Sequence, residues 1–182
     1  MGSGSAPAVL VASGRRSTGA GGAETATPNG VDAPRVFPLW ADTLGSQFIA
    51  HPPIVPYLVE QSSPDHWLVS GIEPFETDDE LYLSEHADRD ALIPLLDTAW
   101  TGDARGFVEH DWTSGPDRHL VMYLRELGKG AVLYNTLGHC RGHYDMAPRV
   151  AYYPTVERGS WEQPAYAELL RRSLRWARGL TA

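Results

Sequence analysis

A hairpin with one strand apolar on both faces constrains this chain more than any other stretch of it. Residues 119–127 and 131–137 are apolar-rich runs separated by Gly128-Lys129-Gly130, which is good turn chemistry. The second run, Ala131-Val132-Leu133-Tyr134-Asn135-Thr136-Leu137, is nearly continuous in apolar and β-favouring residues rather than alternating. Such a strand is expected to be covered on both faces, so the fold needs layers above and below it. One layer is a helix expected from Pro164 to Arg178, with Tyr166, Leu169, Leu170, Ser173, Leu174 and Ala177 as its inner stripe and Gly179 as its cap. Arg171, Arg175 and Arg178 share its opposite, solvated face with help from Glu168. A second helix is expected near residues 36–44, closed by Gly45, and extended segments near 54–59, 81–83 and 91–96. Strands and helices together predict an α/β fold with some antiparallel pairing, and no internal repeat is present.

The chain divides at residue 35. Residues 1–35 are rich in Gly, Ala, Ser, Thr and Pro, have no aromatic residue, and carry only Val9, Leu10, Val11 and Val31 as large apolar side chains. Ordering such a segment costs about 1–2 kcal/mol per residue. Each buried apolar side chain returns only about 1.5–3 kcal/mol. The expectation is a disordered leader over 1–35, within which 8–12 can form one short strand, followed by a single α/β domain over 36–182.

Charge and cysteine content narrow the function classes. The 182 residues carry a net charge of −8 with histidines neutral, which repels nucleic-acid phosphates and anionic lipid. No apolar run approaches the roughly 18 residues that span a bilayer, and the N-terminal residues lack a signal-peptide core. One cysteine, Cys140, excludes an internal disulfide framework. The expectation is a cytoplasmic protein without nucleic-acid or membrane partners.

Several residues can carry chemistry. His139 follows the best-buried strand through Gly138, at a strand end where α/β sites form, and histidine suits general acid–base work. His51 precedes Pro52-Pro53, whose stiff backbone would fix its direction. Asp78, Asp79, Glu80 and Glu85 form an acidic run around Tyr82. The two-residue period puts Glu80 and Tyr82 on one face and Leu81 and Leu83 on the other. Asp78 and Asp79 read equally well as an acidic turn entering a strand. Gly138-His139-Cys140-Arg141-Gly142 has the form of a nucleophile elbow, but Gly142 and Pro148 oppose the helix that an elbow needs. His139 and His143, with Cys140 and Asp145 nearby, are candidate ligands for a divalent metal. Arg141 and Trp161 lie on a long segment before the last helix, where an indole can stack on a sugar ring and a guanidinium can bind a carboxylate or hydroxyl.

The phrases HPPIVPY (51–57), DELYLSE (79–85) and LGH (137–139) resemble the C-terminal part of the trehalose-utilization (ThuA-like) family. The likeness runs from about Leu39 to Ala177 and includes Gly45-Ser46-Gln47-Phe48, Asp65-His66 and the closing Leu-Leu-x-x-x-x-x-Trp-Ala run. It implies a flavodoxin-type, or class I glutamine-amidotransferase-like, sheet with flanking helices. The first half of that sheet has no counterpart here, which leaves a truncated reading frame, a degenerate relative or a domain completed by a partner as explanations. It further implies carbohydrate catabolism: a hydrolase or lyase acting on a disaccharide or oxidised sugar. His139, Glu80, His51 and Tyr82 would be catalytic, Arg141, Trp161 and Glu85 would bind substrate, and His139 with His143 would hold any metal. The alternative is a non-catalytic remnant or subunit that binds a partner, or a second copy of itself, through an exposed sheet edge.

Overall fold

The computed structural model describes residues 8–11, 25–142 and 155–180. In chain order the strands are β1 (Ala8–Val11), β2 (Thr25–Thr27), β3 (Gly30–Asp32), β4 (Ser46–Ala50), β5 (Tyr57–Gln61), β6 (Phe75–Thr77), β7 (Leu83–His86), β8 (Leu92–Ala99), β9 (Arg118–Leu127) and β10 (Gly130–Asn135). Among the described residues two α-helices accompany them, α1 (Pro38–Leu44) and α2 (Pro164–Ala177).

The expected hairpin is β9–β10. Leu127 pairs with Gly130, which leaves Gly128 and Lys129 as a two-residue loop, and Gly128 takes the positive φ of 61° at its first position. Both faces of β10 are covered. Leu133 joins a core with Val121, Leu124, Tyr166 and Leu169, so α2 packs on that side. Val132 and Tyr134 join Leu120, Tyr123, Leu92 and Leu44 on the other, where Trp40 of α1 packs as well. The near-continuous apolar run is explained by this double cover.

A six-stranded sheet runs in the order β1-β10-β9-β8-β5-β6. The β1–β10 pair is parallel, and the other four pairs in this sheet are antiparallel. Only the β1–β10 pair has the parallel direction expected of a flavodoxin-type sheet. Parallel neighbours need crossovers of a dozen residues or more. The two-residue turn between β9 and β10 enforces antiparallel pairing instead. The described residues form a mixed, sheet-rich fold with few helices.

Ordered elements also occur within the span expected to be a leader. β1 lies along β10, and β2 pairs with β3 as a small hairpin. The Val31 amide donates to Gly106 O at 2.7 Å, and Val108 donates back to Val31 O at 2.8 Å. Arg35 pairs with Glu85 and with Glu109, the latter at 2.8 Å. β1 falls on the short strand expected over 8–12, whereas the β2–β3 hairpin was not expected. Its backbone ladder and Arg35 help to hold this stretch, with Val31 packed against the core and Ala33 buried.

Local chemistry sets the helix ends. Pro38 opens α1, and Gly45 closes it in the left-handed region with φ 78°, its amide reaching Ala41 O. On α2, Glu168 accepts from Arg171 and Arg172, and Arg172 also donates to the carbonyls of Trp67 and Ser70, tying the helix to that turn. No described helix is long and apolar enough to cross a membrane.

Among the histidines, His86 on β7 is pushed down to about 4 by burial, with Arg89 and His119 adding to the effect. A base lowered in the fold contributes its full stability above its unfolded value of about 6.5 and loses it as pH falls toward about 4. Burial lowers His119 and His66 in the same direction. The urea midpoint is therefore expected to fall between about pH 7 and pH 5. His86→Gln should flatten that slope in part. An identical slope in the variant would refute the assignment.

Candidate functional site

Three segments meet at one carboxylate. Asp79 lies in the loop after β6, with its side chain fully shielded from solvent. Its Oδ2 accepts from the Gly138 amide at 2.8 Å and from the Ser160 hydroxyl at 2.5 Å. Its Oδ1 accepts from the Glu80 amide at 2.8 Å, the His139 amide at 3.2 Å and His139 Nδ1 at 2.6 Å. Thr77 at the end of β6 extends the network through its own contact to Ser160 at 2.8 Å. Burial alone would raise the Asp79 carboxyl. The bond and charge of His139, with the Gly138 amide and Ser160 hydroxyl, outweigh it and hold the group below the usual carboxylate range.

Two glycines let the segments approach. Gly138 has φ 114°, and a Cβ there would lie 2.2 Å from the Tyr166 hydroxyl. Gly159 has φ 48°, and a Cβ there would lie 2.5 Å from Asp78 O. No side chain fits either position without displacing a neighbour. The chain leaves β10 through an Asn135 Oδ1 bond to the Leu137 amide at 3.0 Å, and Trp161 Nε1 donates to Gly138 O at 2.8 Å. His139 is thereby fixed at the end of the most buried strand.

The ionised Asp79 accepts from Nδ1–H, so in the neutral ring Nε2 is the basic nitrogen. Nε2 lies 2.8 Å from the Tyr82 hydroxyl and 3.4 Å from Glu80 Oε2. The imidazole is 3% exposed and the Glu80 side chain 22% exposed, so the chain of contacts runs from a sealed carboxylate to a group that solvent reaches. A histidine oriented in this way can take up and return a proton at Nε2, with Asp79 stabilising the cation.

His139, Glu80 and Tyr82 come together as a group. The alternation expected for residues 80–83 holds, with Leu81 and Leu83 buried opposite them. His51 stands further off: its Nδ1 bonds Pro52 O at 2.8 Å and its ring meets Phe107, which reaches Tyr82 through Phe48. Trp161 is half-exposed against Tyr166, beside the group. The Arg141 guanidinium is engaged by Asp78 at 3.0 Å and Glu157 at 2.8 Å. Glu85 is on β7 and paired with Arg35, and the structure does not join it to His139. Cys140 is a half-buried thiol, and the next residue, Arg141, bridges to Glu157 as extended chain rather than entering a helix.

His143 and Asp145 lie outside the described residues. Among the described residues no three His, Cys, Asp or Glu side chains gather as metal ligands. The chemistry of the donors agrees, since both His139 nitrogens and both Asp79 oxygens are already engaged. Asp79, left open between a functional role and an acidic turn, is the centre of the network, and its partners Ser160 and Thr77 were not foreseen.

Asp79→Asn replaces an acceptor of five bonds with a group that must also donate. Its expected cost is about 3–5 kcal/mol in urea unfolding. The native carboxyl is lowered, so its contribution is complete above about 3.8, its unfolded value, and is lost as pH falls through the lower folded value. The gap between wild type and variant should be constant above about pH 4 and close below it. A gap that persists unchanged in acid would show that the carboxylate charge is not what stabilises.

No family model matches the chain, and no curated protein matches it. Among solved structures, a protein described as ThuA-like from Bacteroides uniformis superposes with a TM-score of 0.50 at 17% identity, over 80% of this chain and 53% of that one. Another of the same description, from Parabacteroides merdae, gives a TM-score of 0.49 at 17% identity, over 76% of this chain and 43% of that one. The chain spans about half the length of these structures. The resemblance carried by the HPPIVPY, DELYLSE and LGH phrases and the likeness in space lead to one place: the fold is that of the ThuA-like proteins.

Proposed function

We propose that the chain belongs to a proton-transfer enzyme of carbohydrate catabolism, a hydrolase or lyase acting on a disaccharide or oxidised sugar, with His139 as its general acid–base. The observation that carries this reading is the contact chain from sealed Asp79 through His139 to Tyr82 and solvent-reached Glu80. Asp79 fixes the imidazole through Nδ1. Nε2 takes a proton from a substrate hydroxyl or carbon acid, directly or through the Tyr82 hydroxyl, and returns it to the leaving oxygen. Glu80 accepts a bond from a substrate hydroxyl and faces the imidazolium as it forms. Trp161, half-exposed beside Gly138, offers an indole on which a sugar ring stacks.

The finer fold reading, a flavodoxin-type or glutamine-amidotransferase-like lineage, rests on the parallel β1–β10 pair. His139 leaves the C-terminal end of a strand in that pair, and ligands of open α/β sheets bind beyond such ends. The acidic balance of the chain fits a neutral substrate rather than nucleic acid or membrane.

The test is turnover of disaccharides and their oxidised derivatives, followed by release of reducing sugar and by absorbance of unsaturated products. His139→Gln should lower turnover by about 10²–10⁴-fold. Tyr82→Phe, at a more exposed position, should lower it less and leave circular dichroism unchanged. Full turnover in a folded His139→Gln variant would remove the acid–base assignment.

A further inference from the structure

The Tyr57 hydroxyl is shut off from solvent and meets no hydrogen-bond partner. A sealed donor without an acceptor is costly, and native structures seldom keep one without a reason. Its position supplies the reason. Tyr57 begins β5 and stands directly across from Thr77 on β6. Opposed residues of an antiparallel pair project to the same side of the sheet. The Thr77 side chain on that side bonds Ser160, which bonds Asp79. Tyr57 is therefore directed to the side of the sheet that holds the Asp79–His139 group, and it lies within electrostatic reach of Asp79, Glu80, Tyr82 and Asp78.

We propose that Tyr57 is a ligand-binding residue of this site, whose hydroxyl donates to an oxygen of a neutral polyhydroxylated ligand while Glu80 accepts from a neighbouring hydroxyl of the same ligand. The inference rests on the reading of His139 as the centre of a sugar site and adds to it a selectivity. Sugar hydroxyls both donate and accept, and a phenol beside a carboxylate presents the matching acceptor and donor partners. An anionic sugar acid would meet the solvent-reached Glu80 carboxylate and be repelled. Burial first, and then the carboxylates of Asp79, Glu80 and Asp78, hold the Tyr57 phenol well above its usual range, so it remains an O–H donor. Glu80 is reached by solvent, so a ligand can enter past it.

The experiment is calorimetric titration of the full chain, wild type and Tyr57→Phe, with trehalose, sucrose and glucose as neutral probes and gluconate as the anionic one. A neutral probe is expected to bind wild type, gluconate to bind at least about tenfold more weakly, and Tyr57→Phe to lose about tenfold toward the neutral probe. The unliganded variant should melt at or above the wild-type temperature, because no bond is removed. Binding that is indifferent to Tyr57→Phe, a lowered melting temperature of the unliganded variant, or no neutral probe bound by wild type would each overturn the proposal. His139→Gln separates the two ideas. Binding that needs Tyr57 while turnover ignores His139 removes the acid–base reading alone; turnover that needs His139 while binding ignores Tyr57 removes this one alone.

Discussion

The Asp79 carboxylate is the point on which the arrangement of this fold depends. It joins the loop after β6, the chain leaving β10 and the turn that precedes α2, and these are far apart in sequence. Burying a lone carboxylate costs several kcal/mol. Bonds to a charged acceptor return about 1.5–3 kcal/mol each, and here five converge. The sum favours the ionised group, which agrees with its lowered titration despite complete burial. A carboxylate held in this way cannot move without breaking contacts in three segments at once. His139 inherits that rigidity through both its ring and its amide.

Close approach of backbones is the geometric condition for the network. Gly138 and Gly159 sit where a Cβ would collide with the Tyr166 hydroxyl and the Asp78 carbonyl. Tyr166 and Trp161 then close over the same turn, donating to the carbonyls of Leu137 and Gly138. The double-covered β10 supplies the stiff base from which this turn departs, since its side chains are locked between α2 on one side and the α1 layer on the other. Core packing and site geometry are in this sense one problem. The strand that most needs cover is also the strand that aims His139.

What could be read from the sequence follows from the range of each signal. The β9–β10 hairpin, α1 with its Gly45 cap and α2 with its apolar stripe are local patterns, and each was legible. The α/β character with some antiparallel pairing was legible, but the pairing direction of each strand is not a local signal, and four of the five pairs in the main sheet are antiparallel. The β2–β3 hairpin was hidden because backbone hydrogen bonds, which leave no trace in composition, help to hold it. His139, Glu80 and Tyr82 were legible as a group from strand position and alternation. Asp79 was left open between a functional role and an acidic turn, although the same alternation places it on the face of Leu81 and Leu83, all three buried. A carboxylate in register with two core leucines must find donors inside, and that was the available signal. Ser160, some eighty residues away, carried none.

The gradient of exposure across the site gives it a direction. Asp79 is sealed, His139 nearly so, and Glu80 is reached by solvent. With Asp79 holding the proton on Nδ1, any exchange with the outside passes through Nε2, toward Tyr82 and Glu80. Tyr57 is a sealed donor without an acceptor, brought near these carboxylates by its register with Thr77. Internal partners satisfy Asp79 completely and leave Tyr57 unsatisfied. The first pattern is what a fixed scaffold requires, and the second is what a ligand with its own acceptor would complete. That contrast, set by hydrogen bonding alone, divides the residues that hold the site together from those that await something to bind.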